Sequence, residues 1–133
     1  MLRIKKEVWN DIIAQARIEA PLEACGYLAE QNGIVIRHYP LTNADASPDH
    51  YSLRPEEQFA AVRQLRAAGM KLRAVYHSHP ASEARPSEED VRLAYDPGIS
   101  YVIVSLVGPK ETIKSFLIKG SLVTDEDVEV LAE

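Results

Sequence analysis

The segment Ser100 to Val107, with the sequence SYVIVSLV, is a near-continuous run of apolar and β-favouring residues. A strand of this composition has no polar face to turn towards solvent, so it is typical of the interior of a sheet that is covered on both faces. The segment therefore predicts a central strand. Other parts of the chain must then pack against both sides of the sheet that contains it.

Helical patterns elsewhere in the chain supply candidates for those covering layers. Apolar residues recur at helical spacing from about Lys6 to Glu19, and Pro21 cannot continue that helix. A second helix is predicted to begin at Pro55, a residue suited to the first helical turn, and to end at Gly69. Ser87 to Tyr95 also has helical character. The buried stripe of the second helix is expected to consist of Phe59, Val62 and Leu65.

Short apolar runs bounded by turn residues predict the remaining strands. Asn32-Gly33 separates Ala24–Glu30 from Ile34–Tyr39, and Asn-Gly between two such runs is a strong hairpin signal. Thr42–His50 holds few apolar residues and is predicted to be a surface loop. Other strands are expected at Tyr51–Leu53, Leu72–Tyr76, Thr112–Lys119 and Asp127–Leu131. Together these patterns predict an α/β fold, a mixed β-sheet with flanking helices, in one domain over residues 1–133.

The charge balance limits the classes of partner. The chain of 133 residues carries 15 basic and 20 acidic residues, a formal net charge of −5. It has no basic stripe that could neutralise phosphates, so nucleic acid and anionic membranes are not expected as partners. No signal-peptide core or membrane-spanning segment is recognised. Cys25 is the single cysteine and cannot form an internal disulfide, so a cytoplasmic location is expected.

The segment His77-Ser78-His79-Pro80, followed by Ser87 and Asp90, concentrates two imidazoles, a hydroxyl and a carboxylate in a short stretch. Alternate side chains of a strand share a face, so the two histidines are expected to reach one metal ion. Two imidazoles and a carboxylate leave one position of a zinc ion open for water, as catalytic zinc requires, whereas structural sites use four protein ligands. The group therefore predicts a catalytic metal site with Asp90 as the third ligand.

Each part of this group also has a simpler explanation. Ser87 and Asp90 have the spacing of a helix capping box, and two alternate histidines can lie in a solvated loop. A hydrolytic site further needs a carboxylate that takes a proton from water and returns it to the leaving group. Glu23, which follows Pro21 at the start of a strand, is the best candidate. Its local pattern alone favours an ordinary surface glutamate.

The same residues resemble the motif of the JAMM (MPN+) metalloproteases. His77-Ser78-His79-Pro80, six intervening residues and Ser87-Glu88-Glu89-Asp90 match the core of that motif. The segment Pro21-Leu22-Glu23-Ala24-Cys25-Gly26 resembles its upstream glutamate segment, and the resemblance extends over nearly the whole chain. It implies the MPN fold, which is similar to that of cytidine deaminases. It also implies zinc bound by His77, His79 and Asp90, general acid–base catalysis by Glu23, and oxyanion stabilisation by Ser87.

Members of that family cleave peptide or isopeptide bonds after the C-terminal Gly-Gly of ubiquitin and ubiquitin-like proteins, and small prokaryotic members act on ubiquitin-like sulfur carrier proteins. The resemblance thus implies a peptidase with one zinc ion per chain. It would hydrolyse the amide bond after the Gly-Gly tail of such a carrier through a zinc-activated water. The carrier, its leaving group and homodimerisation of the peptidase are left open.

Two alternatives within this fold also stay open: an isopeptidase acting on lysine-linked conjugates, and a metal-free MPN scaffold that binds partners. The scaffold requires broken ligand positions, and none of the positions in this motif is broken. A zinc nucleobase deaminase is excluded, because its H-x-E and P-C-x-x-C segments are absent.

Four further residues receive no catalytic role. Cys25 is expected to be a buried, inert residue, because free cysteine is among the most buried residue types. Tyr76 is expected to point into the core, on the side of its strand opposite to His77. His38 and His50 have no partner at ligand spacing.

Overall fold

The computed structural model describes residues 1–132, which form a mixed sheet flanked by helices. The strands are β1 (Leu2–Lys5), β2 (Cys25–Gln31), β3 (Ile34–Leu41), β4 (Lys71–His79), β5 (Ser100–Ser105), β6 (Thr112–Lys119), β7 (Leu122–Glu126) and β8 (Val128–Leu131). The helices are α1 (Lys6–Glu19), α2 (Pro55–Ala67) and α3 (Glu88–Arg92).

The strands are ordered β7-β6-β5-β4-β2-β3-β1-β8 across the sheet. The pairs β4–β5, β1–β3 and β1–β8 are parallel, and the remaining neighbours are antiparallel. A parallel pair needs a crossover connection, and the one between β4 and β5 contains α3. The start of α3 is thereby brought to the end of β4.

Alternate residues of the central strands supply two cores, one on each face of the sheet. On one face α1 contributes Val8, Ile12 and Ala16, which are spaced four residues apart and pack with β-strand residues that include Leu28, Tyr76 and Val102. On the other face Ala61 of α2 packs with Tyr27, Val75, Ile103 and Phe116. Burial of the two faces by different helices explains why every residue of the central strand β5 is buried and why four of its six residues are Tyr, Val or Ile.

The structure confirms the predicted fold class, a mixed sheet with flanking helices. All six residues of β5 are buried, as the SYVIVSLV segment predicts for an interior strand. The β2–β3 hairpin turns at Asn32 and Gly33, whose φ angles of 56° and 79° fit the Asn-Gly signal. The helix predicted from Lys6 to Glu19 has those bounds.

Two predictions about the second helix and the segment before it are wrong. Tyr51–Leu53 is not a strand, because its backbone pairs with the preceding loop: Ser52 N–H donates to Asn43 Oδ1, and Ser52 O accepts from Ala44 N–H. Phe59 is 66% exposed. Each helical residue turns by about 100°, so Phe59 lies well away from the stripe centred on Ala61 and Leu65, and it packs beside Arg63.

Two element bounds differ from the prediction at the motif, and two strands are not predicted. The helix expected over Ser87–Tyr95 is limited to α3, and Ser87 is its N-cap. The strand expected over Leu72–Tyr76 continues to His79, so both motif histidines lie within β4. Strands β1 and β7 are not predicted, because short strands such as these depend on pairing with distant residues more than on their own composition. Within residues 1–132, no helix has both the length and the hydropathy needed to cross a membrane.

Candidate metal centre

Three side chains converge at the end of β4. His77 Nε2 and His79 Nε2 lie 3.1 Å apart, and each lies 3.2 Å from Asp90 Oδ2. The ligands of a tetrahedral zinc ion with bonds of about 2.0–2.1 Å lie roughly 3.3 Å from one another. The three atoms therefore have the spacing of one face of a zinc coordination sphere, which leaves a fourth position open. His77, His79 and Asp90 form a cluster that is compatible with a metal ion.

The sheet and a turn of backbone orient the two histidines. Both are buried, and they point the same way because they are alternate residues of β4. His79 Nδ1 donates a hydrogen bond of 2.7 Å to the Glu83 carbonyl, which leaves the Nε2 lone pair directed at the other two ligands. A metal-binding histidine is commonly held in this way.

The cluster favours positive charge. Burial acts to lower the pKa of His79, but hydrogen bonds to Asp90 and to the Glu83 carbonyl raise it overall. Burial acts to raise the pKa of Asp90, and hydrogen bonds from both histidines and from the Ser87 backbone hold it well below its usual range. Asp90 is therefore a carboxylate, as a metal ligand must be.

Ser87 and Asp90 form the capping box that their spacing suggested. Asp90 N–H donates to Ser87 Oγ over 3.0 Å, and Ser87 N–H donates to Asp90 Oδ2 over 2.9 Å. Asp90 Oδ2 therefore faces both histidines and also accepts the hydrogen bond from Ser87 N–H at the start of α3. Ser87 Oγ uses a lone pair in the cap, and its own hydrogen remains free for another acceptor.

Glu23 lies in a buried position, not on the surface as its local pattern favours. Its residue is 3% exposed, and Oε1 is buried with no hydrogen-bond partner among the described residues. Burial raises the pKa of Glu23 to about 8; the charge of His79 opposes this shift, and that of Asp90 adds to it. A carboxyl group that titrates near neutral pH can both take and return a proton.

Two residues that the sequence analysis did not single out hold the Glu23 segment. Ser78 lies between the two histidines; its Oγ accepts from Ala24 N–H over 2.7 Å, and its own N–H donates to Ala24 O. Asn43 donates from Nδ2 to the Glu23 carbonyl over 3.1 Å. Strand alternation could have placed Ser78 opposite the histidines. Nothing local distinguishes Asn43 from an ordinary loop asparagine.

A cavity of about 380 Å³ opens beside the cluster, lined in part by His77 and Asp90. Its described lining includes further carboxylates at Glu89 and Asp96, and neither lysine nor arginine. The cavity therefore suits apolar or cationic groups better than anions. The apolar and aromatic lining residues are Tyr27, Tyr51, Leu53, Leu72, Val75, Pro86, Leu93, Tyr95, Ile99, Tyr101, Ile103 and Ile118.

The four residues that were expected to have no catalytic role lie in environments that agree with this expectation. Cys25 is fully buried, burial raises the pKa of its thiol to about 12, and its Sγ faces the Leu41 carbonyl. Tyr76 is 1% exposed in the core that α1 covers. His38 Nδ1 lies 3.9 Å from Asp11 Oδ2, His50 Nδ1 lies 3.1 Å from Asp45 Oδ2, and neither histidine belongs to the His77, His79 and Asp90 cluster.

A mixed sheet that presents two histidines at a strand end and an aspartate from a crossover helix defines the class of the JAB/MPN domains. The family model described as prokaryotic homologues of the JAB domain matches residues 5–119, and the chain belongs to this family. The resemblance noted in the sequence is thereby confirmed at the level of the family.

Curated relatives identify the class of activity. The chain is 40% identical over 136 residues to the CysO-cysteine peptidase of Mycobacterium tuberculosis, with 100% of this chain and 93% of the relative covered. It is 35% identical over 95 residues to the probable TtuB-protein conjugate cleaving protease of Thermus thermophilus, with 71% and 64% covered. The chain is therefore a hydrolase of the peptidase class.

Two solved structures support the fold. The solution structure of protein DSY2949 from Desulfitobacterium hafniense superposes with a TM-score of 0.91 at 44% identity, with 100% of this chain and 94% of that chain covered. The crystal structure of AF2198, a JAB1/MPN domain protein from Archaeoglobus fulgidus, superposes with a TM-score of 0.69 at 22% identity, with 98% and 97% covered. The second likeness shows that the MPN fold is shared.

Proposed function

We propose that this protein is a zinc-dependent peptidase that hydrolyses the amide bond after the C-terminal Gly-Gly of a ubiquitin-like sulfur carrier protein. The proposal depends mainly on the triangle of His77, His79 and Asp90, whose sides of 3.1–3.2 Å suit tetrahedral zinc. The names of the two relatives refer to CysO-cysteine and to TtuB-protein conjugates. They support a substrate made of a carrier protein and an attached group.

His77, His79 and Asp90 would hold one zinc ion per chain. Two neutral imidazoles and one carboxylate leave that site with a net charge of +1. When bound, zinc supplies a Lewis acid and lowers the pKa of water to about 7.

Glu23 would act as general acid and base. Its carboxylate would accept a proton from water as the new C–O bond forms, and it would return that proton to the amine nitrogen as the C–N bond breaks. In the metal-free protein burial raises the pKa of Glu23 to about 8, and the positive charge of a bound zinc ion would lower this pKa towards the neutral range that suits proton exchange. The buried position of the carboxyl group also keeps bulk water from satisfying Oε1.

Ser87 would donate its hydroxyl hydrogen to the oxyanion of the tetrahedral intermediate. The capping interaction uses only an acceptor lone pair of Oγ, so capping and donation are compatible. A hydrogen-bond donor directed at the oxygen that becomes negatively charged during the reaction stabilises the transition state more than the ground state.

The central test is the variant Glu23→Gln. Gln has nearly the same shape but cannot take a proton from water, so we expect zinc to be retained and turnover to fall by about 10²–10⁴. The assay follows, by mass spectrometry, the loss of residues added after Gly-Gly on a carrier protein, alongside elemental analysis for zinc. Glu56→Gln, the same change at an exposed site on α2, is the control and should leave turnover unchanged. Full turnover by Glu23→Gln would exclude the proposed mechanism.

A second candidate is an isopeptidase acting on lysine-linked conjugates. It is favoured by the relative named for TtuB-protein conjugates and by the cavity, whose carboxylates suit a lysine side chain. The same carrier joined through its C-terminus to cysteine or to a lysine Nε, offered in equal amounts, distinguishes the two. Faster release of the lysine-linked group would favour the isopeptidase. Purified protein without stoichiometric metal would favour the scaffold alternative instead.

A further inference from the structure

Tyr51 contacts the metal centre from outside the sequence motif. Its ring stacks on the His77 imidazole, with ring centroids 4.8 Å apart and ring planes inclined by 29°. We propose that Tyr51 is a positioning residue, which holds the His77 ring in the orientation that binds zinc. The inference rests on the proposed function, because it takes His77 as a zinc ligand.

The two histidines differ in how their rings are held. His79 is fixed through Nδ1, which donates to the Glu83 carbonyl. Within residues 1–132 the hydrogen bonds of the His77 ring involve only Nε2, the atom that faces His79 and Asp90. A zinc-binding histidine is usually oriented by a hydrogen bond from its other nitrogen. For His77, contact with the ring face takes the place of that bond.

The strand neighbours of His77 lie beside its side chain, whereas Tyr51 covers the face of its ring. Cys25 on β2 and Ile103 on β5 are its register partners, and both are fully buried. They confine the side chain laterally, whereas Tyr51 approaches from the connection between β3 and α2. Stacked aromatic rings attract one another beyond the area that they bury, so this contact favours one ring orientation over others.

Tyr51 is itself held in place by the loop that precedes it. Asn43 is 8% exposed; it donates to the His50 carbonyl over 3.0 Å and accepts from Ser52 N–H over 3.4 Å. These two residues flank Tyr51 in the chain. Asn43 also bonds to the Glu23 carbonyl, so the loop, the base and the stacked tyrosine share one framework.

The test compares the affinities of Tyr51→Leu and Tyr51→Phe for zinc alone, measured by competition with a chromophoric chelator. Tyr51→Leu removes the flat ring, so we expect binding weaker by about tenfold. Tyr51→Phe keeps the ring and should restore the affinity to within about twofold of the natural protein. Phe59→Leu removes an aromatic ring that is 66% exposed on α2 and does not line the cavity, and it should leave zinc affinity unchanged.

The outcomes separate this inference from the proposed function. If the natural protein binds zinc and Tyr51→Leu binds it equally well, the positioning role is wrong while the proposed function stands. If Tyr51→Phe is as weak as Tyr51→Leu, the hydroxyl and not the ring is responsible, which also overturns the inference. A natural protein that binds no zinc overturns the proposed function together with this inference.

A second measurement does not depend on the folding of a variant. In the zinc-loaded natural protein, ring protons of Tyr51 and His77 that stack at 4.8 Å should give nuclear Overhauser effects. Observation of these effects supports the stacked arrangement. Their absence from an assigned spectrum of the folded protein overturns it.

Discussion

Glu23 is a carboxyl group at a position that is only 3% exposed, with Oε1 unpaired among the described residues. Ionisation in such a place gives up hydration without a compensating hydrogen bond, so the neutral form is favoured. This is the reason for its pKa of about 8. The buried, unpaired position of the Glu23 carboxyl group therefore lowers the free energy of unfolding at alkaline pH, where this group must ionise.

This cost predicts a pH-dependent stability for the metal-free protein. The folded pKa is raised above the ordinary value of 4.5, so between about pH 4.5 and 8 the unfolded chain loses its proton first. The stabilising contribution is complete below pH 4.5, and the free energy of unfolding falls as the pH rises through this window. The side chain of Glu23→Gln does not titrate. Over this pH window its free energy of unfolding should therefore fall by about 1–3 kcal/mol less than that of the natural protein.

Urea unfolding of both metal-free proteins at about pH 5 and about pH 8 measures this difference. The variant Glu56→Gln should follow the pH dependence of the natural protein, because residue 56 is exposed. If the free energy of unfolding changes equally with pH in Glu23→Gln and in the natural protein, the pKa of Glu23 in the folded protein is close to its ordinary value.

At the scale of elements, the start of α3 both caps this helix and positions the Asp90 carboxylate beside the two histidines. A helix of five residues is too short to be stable on its own, so it depends on its capping box and its contacts. Asp90 Oδ2 accepts from Ser87 N–H and also faces both histidines. The helix start thus fixes the carboxylate at the distance that a shared metal ion requires.

Ser87→Gly separates capping from hydroxyl donation. Glycine is tolerated at an N-cap with a loss of only about a few tenths of a kcal/mol, but it has no hydroxyl. We therefore expect nearly unchanged thermal unfolding and a fall in kcat of about 10²–10³ on the extended carrier. Ser87→Thr keeps the hydroxyl and should retain most of the turnover. Unchanged kcat in Ser87→Gly would leave Ser87 with the capping role alone.

At the scale of the whole molecule, the cluster lies on a sheet that strand pairing and two apolar cores stabilise. His77 and His79 are paired along β4 with β5, and His77 also with β2, and apolar cores cover both faces. The backbone positions of both histidines therefore follow from the sheet. We therefore expect a metal ion to bind to a framework that is already formed.

Removal of zinc should accordingly leave the fold intact but less stable. We expect the same far-UV circular dichroism after chelation. Free zinc at 100 times its dissociation constant should add about 2.7 kcal/mol to the free energy of unfolding. Asp90→Asn removes the charged ligand and should gain much less from zinc. Loss of secondary structure on chelation would show that the metal holds the fold together.

The sequence by itself determines the features that depend on local pattern. The spacing of Val8, Ile12 and Ala16 defines α1, Asn32-Gly33 defines the hairpin, and the SYVIVSLV run defines an interior strand. Strand alternation predicts that the His77 and His79 side chains meet, and their Nε2 atoms lie 3.1 Å apart. These features depend on neighbours within a few residues, where periodicity and turn chemistry act directly.

Only the tertiary structure decides what depends on distant parts of the chain. Glu23 is buried because Asn43, Ser47 and Ser78 hold its segment against the sheet. Tyr51 reaches His77 from a segment that local composition predicts to be a strand. Burial and stacking are properties of the packed chain, since each is created by residues brought together from separate elements. The proposed ligands can therefore be predicted from a motif, whereas the environment of these ligands and of Glu23 follows from the fold.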